Sequence, residues 1–232
     1  MKASILLLLS LMALNAAAQS GPPALCKPCL FYAGDLNPSD PQADAFPNMY
    51  TFVYADTKTY APILLPAGHS ILVTGILFQI QIEGSPKLDP KGASWEIRSG
   101  LLTSNDGGTL IASGAIGAAV EPTGRTLNYP EFTVAVKVNP PVQLEGGRKG
   151  TIYWFNVEPP CVNSNDPDCN QPSQQYFVSN TTQQTNSLRG SLQVGGAGYI
   201  YANNSTYHYN WDTLCAAGFA GCSYVSFGVM GH

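Results

Sequence analysis

Charge is scarce in this sequence. Lys, Arg, Asp and Glu make up 11% of its 232 residues, against about 25% in an ordinary soluble domain. The 11 basic residues are scattered and outnumbered by 15 acidic ones. No basic stripe is present to follow a phosphate backbone, which argues against nucleic-acid binding. Histidine is rarer still: His69, His208 and His232 stand isolated, so no pair at metal-ligand spacing exists. A G-x-S-x-G elbow is absent. Gly68-His69-Ser70 does not replace it, because adjacent residues of a strand point to opposite faces. The E-x-D-x-E run that many jelly-roll glycosidases carry is missing too. Glu83, Glu96, Glu121, Glu131, Glu145 and Glu158 are separated by ten residues or more. Only their meeting in space would give the two facing carboxyl groups of glycoside hydrolysis. An exported hydrolase with dispersed carboxylates is therefore the alternative reading, and a protein that is not an enzyme is the leading one.

Long apolar runs are confined to the N-terminus. Lys2, an apolar stretch from Ile5 to Leu14, and Ala16-Ala17-Ala18 before Gln19 have the three-part order of a secretion signal. About ten apolar residues are too few for the ~20 of a spanning helix. The expectation is cleavage after residue 18. Leu25 ahead of Cys26 is not the small residue that lipid attachment requires. No sorting motif or apolar tail precedes Val229-Met230-Gly231-His232. The expected product is soluble after cleavage, secreted or periplasmic, with no membrane partner.

Helical periodicity is lacking after the signal, and period-two alternation takes its place. Residues 50–54, 70–83, 94–98 and 132–138 alternate, 151–157 is a mostly apolar run, and 176–179, 192–194, 199–202 and 224–229 are further strand candidates. Gly (23) and Pro (18) punctuate them, with turns at Asn105-Asp106-Gly107-Gly108 and Gly146-Gly147. The pattern predicts an all-β fold: a single β-sandwich, jelly-roll-like, of about ten short strands with local disulfides. Residues 19–47 form a Pro/Asp-rich segment expected to drape over the sandwich, and 48–232 the sandwich itself.

Six cysteines, Cys26, Cys29, Cys161, Cys169, Cys215 and Cys222, are an even number in an exported chain and read as disulfides. Sequential pairing is the favoured one of 15 arrangements. Cys26-Lys27-Pro28-Cys29 lacks the second ligand pair of a zinc site and the following helix of a redox motif. It reads as an N-terminal clamp.

Two constellations could bind something. Asn163, Asn165, Asp166 and Asp168 crowd one loop with hard oxygens of the kind calcium takes. Their spacing is not that of an EF-hand, and a polar loop stapled by Cys161–Cys169 is the preferred reading; no other cofactor is expected. Tyr199, Tyr201, Tyr207, Tyr209 and Trp211 flank Asn203-Asn204-Ser205-Thr206 in a hairpin pattern. Aligned on one face, they would make either a platform that stacks on sugar rings or a cross-strand ladder covering the core. The first would make the partner a polysaccharide or a cell-envelope component.

Several segments resemble those of known proteins: Leu25 to Tyr32 followed by Gly34-Asp35, Val73-Thr74-Gly75, Pro122-Thr123-Gly124-Arg125, Tyr153 to Val157 and Ser226 to Gly231. The chain resembles a group of uncharacterised secreted bacterial β-sandwich proteins and is distantly similar to extracellular jelly-roll domains that precede an anchor. The resemblance implies a sandwich outside the cell. It implies no catalytic residue, and the anchor of the second group has no counterpart here.

Overall fold

Alternating apolar residues need a partner layer, and this chain supplies it by stacking two antiparallel sheets. The computed structural model describes residues 22–40, 43, 45–47, 57–83, 93–100, 107–159, 176–181, 193–194, 199–203, 208–214 and 224–232. Fifteen strands and no helix occur among them. The protein is an all-β sandwich.

The eight-stranded sheet is built around β4 (Ser70–Ile82). β8 (Pro130–Glu145) runs along one side of β4 from Ser70↔Glu145 to Gln81↔Glu131. β15 (Phe227–Gly231) and β10 (Tyr176–Thr181) share the other side. β1 (Cys29–Tyr32) adds to β15, β7 (Ala118–Thr126) to β8, and β2 (Ala45–Pro47) and β14 (Tyr224–Val225) to β10. The seven-stranded sheet has the order β13 (His208–Thr213), β12 (Tyr199–Asn203), β3 (Thr57–Leu65), β9 (Thr151–Glu158), β5 (Ala93–Ser99), β6 (Thr109–Ile116), with β11 (Gln193–Val194) also on β3. β6 and β7 lie in different sheets and are joined through Gly117, so this corner carries the chain across the sandwich.

The core lies between the sheets. Ile76, Phe78, Ile80 and Ile82 of β4 meet Ile63, Ile97, Phe155 and Val157 of the facing sheet. Phe227 sits at its centre, with ring centroids 5.1 Å from Phe31, 5.7 Å from Phe78 and 6.2 Å from Phe155. The segment 19–47, set apart in the sequence, contributes β1 and β2 to the eight-stranded sheet and places Leu30 and Phe31 in this core.

Two strands are longer than the alternation shows. β8 continues through Asn139-Pro140-Pro141 because a bulge accommodates the prolines: Val73 pairs with Val142 and Gly75 with Lys137. β3 contains Pro62, a residue that speaks against a central strand, yet it pairs β9 from Ala61 to Leu65.

Cys26 and Cys29 are bonded. Cys26 is buried with Tyr32, Leu77, Ala135 and Met230 in a small second core on the outer face of the eight-stranded sheet. Cys161, Cys169, Cys215 and Cys222 lie outside the described residues, as do residues 1–18 and the loop of Asn163, Asn165, Asp166 and Asp168. No group of three His, Cys, Asp or Glu side chains suited to a metal occurs among the described residues.

Candidate functional site

A strand buried on one face normally shows water its polar face. β4 does not: Gln79 and Gln81 are fully buried although they point away from the main core. Tyr32 of the N-terminal segment reaches Gln79, and the turn after β7, through the Asn128 and Tyr129 amides, reaches Gln81. Buried amides need partners, and the sequence supplies a chain of them. Thr133 Oγ1 donates to Gln79 Oε1 (2.9 Å), and Gln79 Nε2 donates to the Tyr32 hydroxyl (3.1 Å). That hydroxyl donates to Asp35 Oδ1. Arg125 Nη2 lies 3.0 Å from the same Asp35 oxygen, and its Nε donates to Glu131 Oε2 at 2.5 Å. Thr123 Oγ1 donates to Glu131 Oε2 as well, at 2.9 Å. The network thus runs from β8 across β4 and β1 to the segment after β1, then over β7 and back to β8. Glu131 Oε1 is buried without a hydrogen-bond partner among the described residues.

Local backbone explains how β7 reaches this place. Pro122 pairs with Phe132 and Thr126 with Pro130, so Thr123, Gly124 and Arg125 together stand opposite Glu131. Such a bulge re-aims side chains. Gly124 has φ +77°, a conformation that costs glycine little. The Thr123 hydroxyl also accepts from the Arg125 amide at 3.1 Å and tightens the turn. The N-terminal wall is pinned just as directly: Ser226 Oγ donates to Gly34 O (2.5 Å) and Thr181 Oγ1 to Asp35 O (3.2 Å).

Burial, with Asp35 alongside, pushes the Tyr32 hydroxyl far above the ordinary tyrosine range, so it stays a donor. Burial works against the charge of Arg125, but Glu131 and Asp35 outweigh it and raise its pKa. The result is a fixed constellation with a cavity of about 190 Å³ above it. Gln79 and Thr133 form its floor, Asp35 and Ala24 one wall, and Glu121 and Thr123 the other. Acceptors and donors thus share a small polar space.

The aromatic hairpin lies elsewhere, at the far edge of the seven-stranded sheet. β12 and β13 do pair as a hairpin, and β12 also pairs with β3, setting Tyr199 opposite Tyr60 and Tyr201 opposite Lys58. A register shift between Ile200 and Ala202 sets Ala202 opposite Tyr209. Regular alternation along the hairpin therefore does not carry across that point. Tyr207 lies outside the described residues, and of Tyr199, Tyr209 and Trp211 only the backbone is described. Tyr201 is half-buried and packs with Ile152 on buried Tyr60 and Trp154.

Beside that cluster Glu96 accepts from Lys58 Nζ (2.6 Å), Tyr60 OH (2.7 Å) and Arg98 Nε (2.9 Å). Burial opposes its ionisation, but these donors prevail and hold the carboxyl below the usual range. Of the dispersed carboxylates, Glu96 and Glu131 are thus tied into ion pairs on different sheets. Glu121 shares the polar cavity with Asp35, whose carboxylate is engaged by Arg125 and Tyr32.

The sequence reading did not single out this constellation as a site. Tyr32, Asp35, Thr123, Arg125 and Ser226 fall within segments that the sequence marks out only by structural residues.

No family model matches the chain, and no curated protein matches it. Among solved structures the chain is similar to the cysteine protease and lectin-like domains of Cwp84, a surface-layer-associated protein of Clostridium difficile. The likeness has a TM-score of 0.38 and 12% identity, and covers 82% of this chain and 36% of that one. The chain thus spans about a third of the length of that structure, and the match is too distant to bear on function.

Proposed function

We propose that the protein is a non-catalytic extracellular β-sandwich that binds a hydroxyl-rich ligand, a saccharide, in the polar cavity between its N-terminal segment and β7. The observation that carries this is the cavity of about 190 Å³ lined by Asp35, Gln79, Glu121, Thr123, Arg125 and Thr133. Vicinal hydroxyls donate and accept at neighbouring positions, which matches a lining of carboxylates, amide, hydroxyls and guanidinium. The network below the cavity holds Asp35, Gln79, Thr123, Arg125 and Thr133 in place, so little ordering entropy is lost there on binding. A space this small takes one ring or substituent of a longer chain. The Cys26–Cys29 bond and the signal-like N-terminal sequence support a binding site outside the cell.

The test is a pull-down of the purified protein against cell-wall and plant polysaccharides, followed by calorimetry with fragments of those retained. Glu121→Arg, at an exposed wall position, should abolish retention while the melting temperature holds. Failure of every glycan to bind would end this reading.

The aromatic hairpin supports a second reading. β12 and β13 form an edge of their sheet, and Tyr201 is half-exposed beside the Tyr60–Trp154 cluster. If sugar stacks there, Trp211→Ala will remove binding and Glu121→Arg will not.

A further inference from the structure

A second and larger cavity, of about 680 Å³, lies on the same outer face. It falls within the ~300–1,000 Å³ usual for small-molecule sites. Along β8 the outer-facing positions run Thr133, Ala135, Lys137; along β7 they run Glu121, Ala119, with Ala119 opposite Ala135 and Glu121 opposite Thr133. One step along the pair therefore changes the lining from polar to apolar. Leu25, Ala119, Ala135 and Met230 line the larger cavity, and Lys27 and Lys137 are its charged residues. No acidic residue lines it. Both lysines are exposed, and neither takes part in an ion pair among the described residues.

The floor is shaped by two irregularities flanking Thr74 of β4. One is the β8 bulge between Val142 and Lys137, and the other is the shift in β15 between Met230 and Gly231. Bulges at such places re-aim side chains and end regular pairing. Gly75 makes room for the floor: a Cβ there would lie 2.5 Å from Met230 Cε. Met230 itself is a flexible, polarizable lining suited to apolar chains. An apolar trough with two unpaired cations, in a chain where acidic residues outnumber basic ones, is complementary to an aliphatic anion.

We propose that this trough binds a free single-chain carboxylate amphiphile, its alkyl chain along Leu25, Ala119, Ala135 and Met230 and its carboxylate paired with Lys27 and Lys137. The site is independent of the saccharide reading. It needs neither Glu121 nor the polar network, and either can fail without the other.

The test is calorimetry of the purified protein, Cys26–Cys29 bond intact, with decanoate and with 1-decanol below their aggregation concentrations. Decanoate should bind saturably and more tightly than decanol. The double variant K27A/K137A should lose about tenfold in decanoate affinity and leave decanol unchanged, as two partly exposed ion pairs allow. Ala119→Trp, at an exposed position that fills the trough, should weaken both ligands without changing the melting temperature. Equal affinity for the two ligands in the native protein would overturn the proposal, as would saturable binding that Ala119→Trp leaves intact. Absence of binding to monomeric decanoate would also overturn it, including when the protein sediments with phosphatidylglycerol vesicles, since that would indicate a membrane surface.

Discussion

Arg125 is the residue on which the buried network turns. It spans Asp35 and Glu131, and the Glu131 side chain is wholly shielded from solvent. Arg125→Ala would leave that carboxylate buried with no cation. Breaking a buried pair in this way costs about 3–5 kcal/mol, and urea denaturation should show a loss of that size. Glu96 on the other sheet makes a pH-dependent contribution. Its folded pKa is lowered despite burial, because Lys58, Tyr60 and Arg98 favour the anion. Its stabilisation is present above the unfolded value of about 4.3 and is lost as the pH falls through the lower folded value. Acid titration of Glu96→Gln should therefore lack a part of the stability loss that the native protein shows below about pH 4.3. Tyrosine behaves in the opposite sense. Burial raises Tyr32, Tyr60 and Tyr176 above the ordinary range. Their stabilisation is complete below about pH 10 and is lost as the pH rises beyond it. In an alkaline absorbance titration these three should ionise only as the protein unfolds.

Glycines mark how closely the elements pack. At the end of β8, a Cβ on Gly146 would lie 1.8 Å from the Pro66 carbonyl oxygen, which is rigid backbone. At Gly75 the nearest atom is the mobile end of Met230, at 2.5 Å, and the backbone oxygen it would meet, that of Val136, is further off than at Gly146, at 2.9 Å. Gly75→Ala should cost about 1–3 kcal/mol, the usual range for overpacking, and Gly146→Ala should cost more, as paired denaturation curves would show. The elements themselves were unevenly legible. β4 and β5 carry clean alternation of large apolar residues and β9 a continuous apolar run, and their expected spans agree with the strands to within a residue or two. β6 and β7 did not stand out, because Ala, Gly, Ser and Pro make up half of residues 109–126 and no residue of either strand is fully buried. β3 was hidden by Pro62 and β1 by the cysteine motif. The constellation on the outer face was illegible for a further reason. Gln79 and Gln81 look solvent-facing in a strand, and only Tyr32 over the first and the turn at Asn128 and Tyr129 over the second reveal why they are buried. Arg125 lies far from Tyr32 and Asp35 in the sequence, and only the fold brings the three together.

The whole molecule is a two-sheet core with a second, smaller core under its N-terminal segment. The Cys26–Cys29 bond lies in that outer layer and closes a very short loop. In the loop-entropy model such a bond is worth only about 2 kcal/mol. The C26S/C29S variant should keep its β-sheet circular dichroism and melt a few degrees lower. The same outer layer walls both the polar cavity and the apolar trough, so the segment that looked like an appendage in the sequence builds the surface where ligands would sit. The most direct test of that claim is a backbone-amide NMR titration with an oligosaccharide from a retained glycan. Shifts should concentrate at Asp35, Gln79, Glu121, Thr123 and Thr133. Shifts gathered instead along Tyr199 to Trp211, or no shifts with any retained glycan, would contradict it.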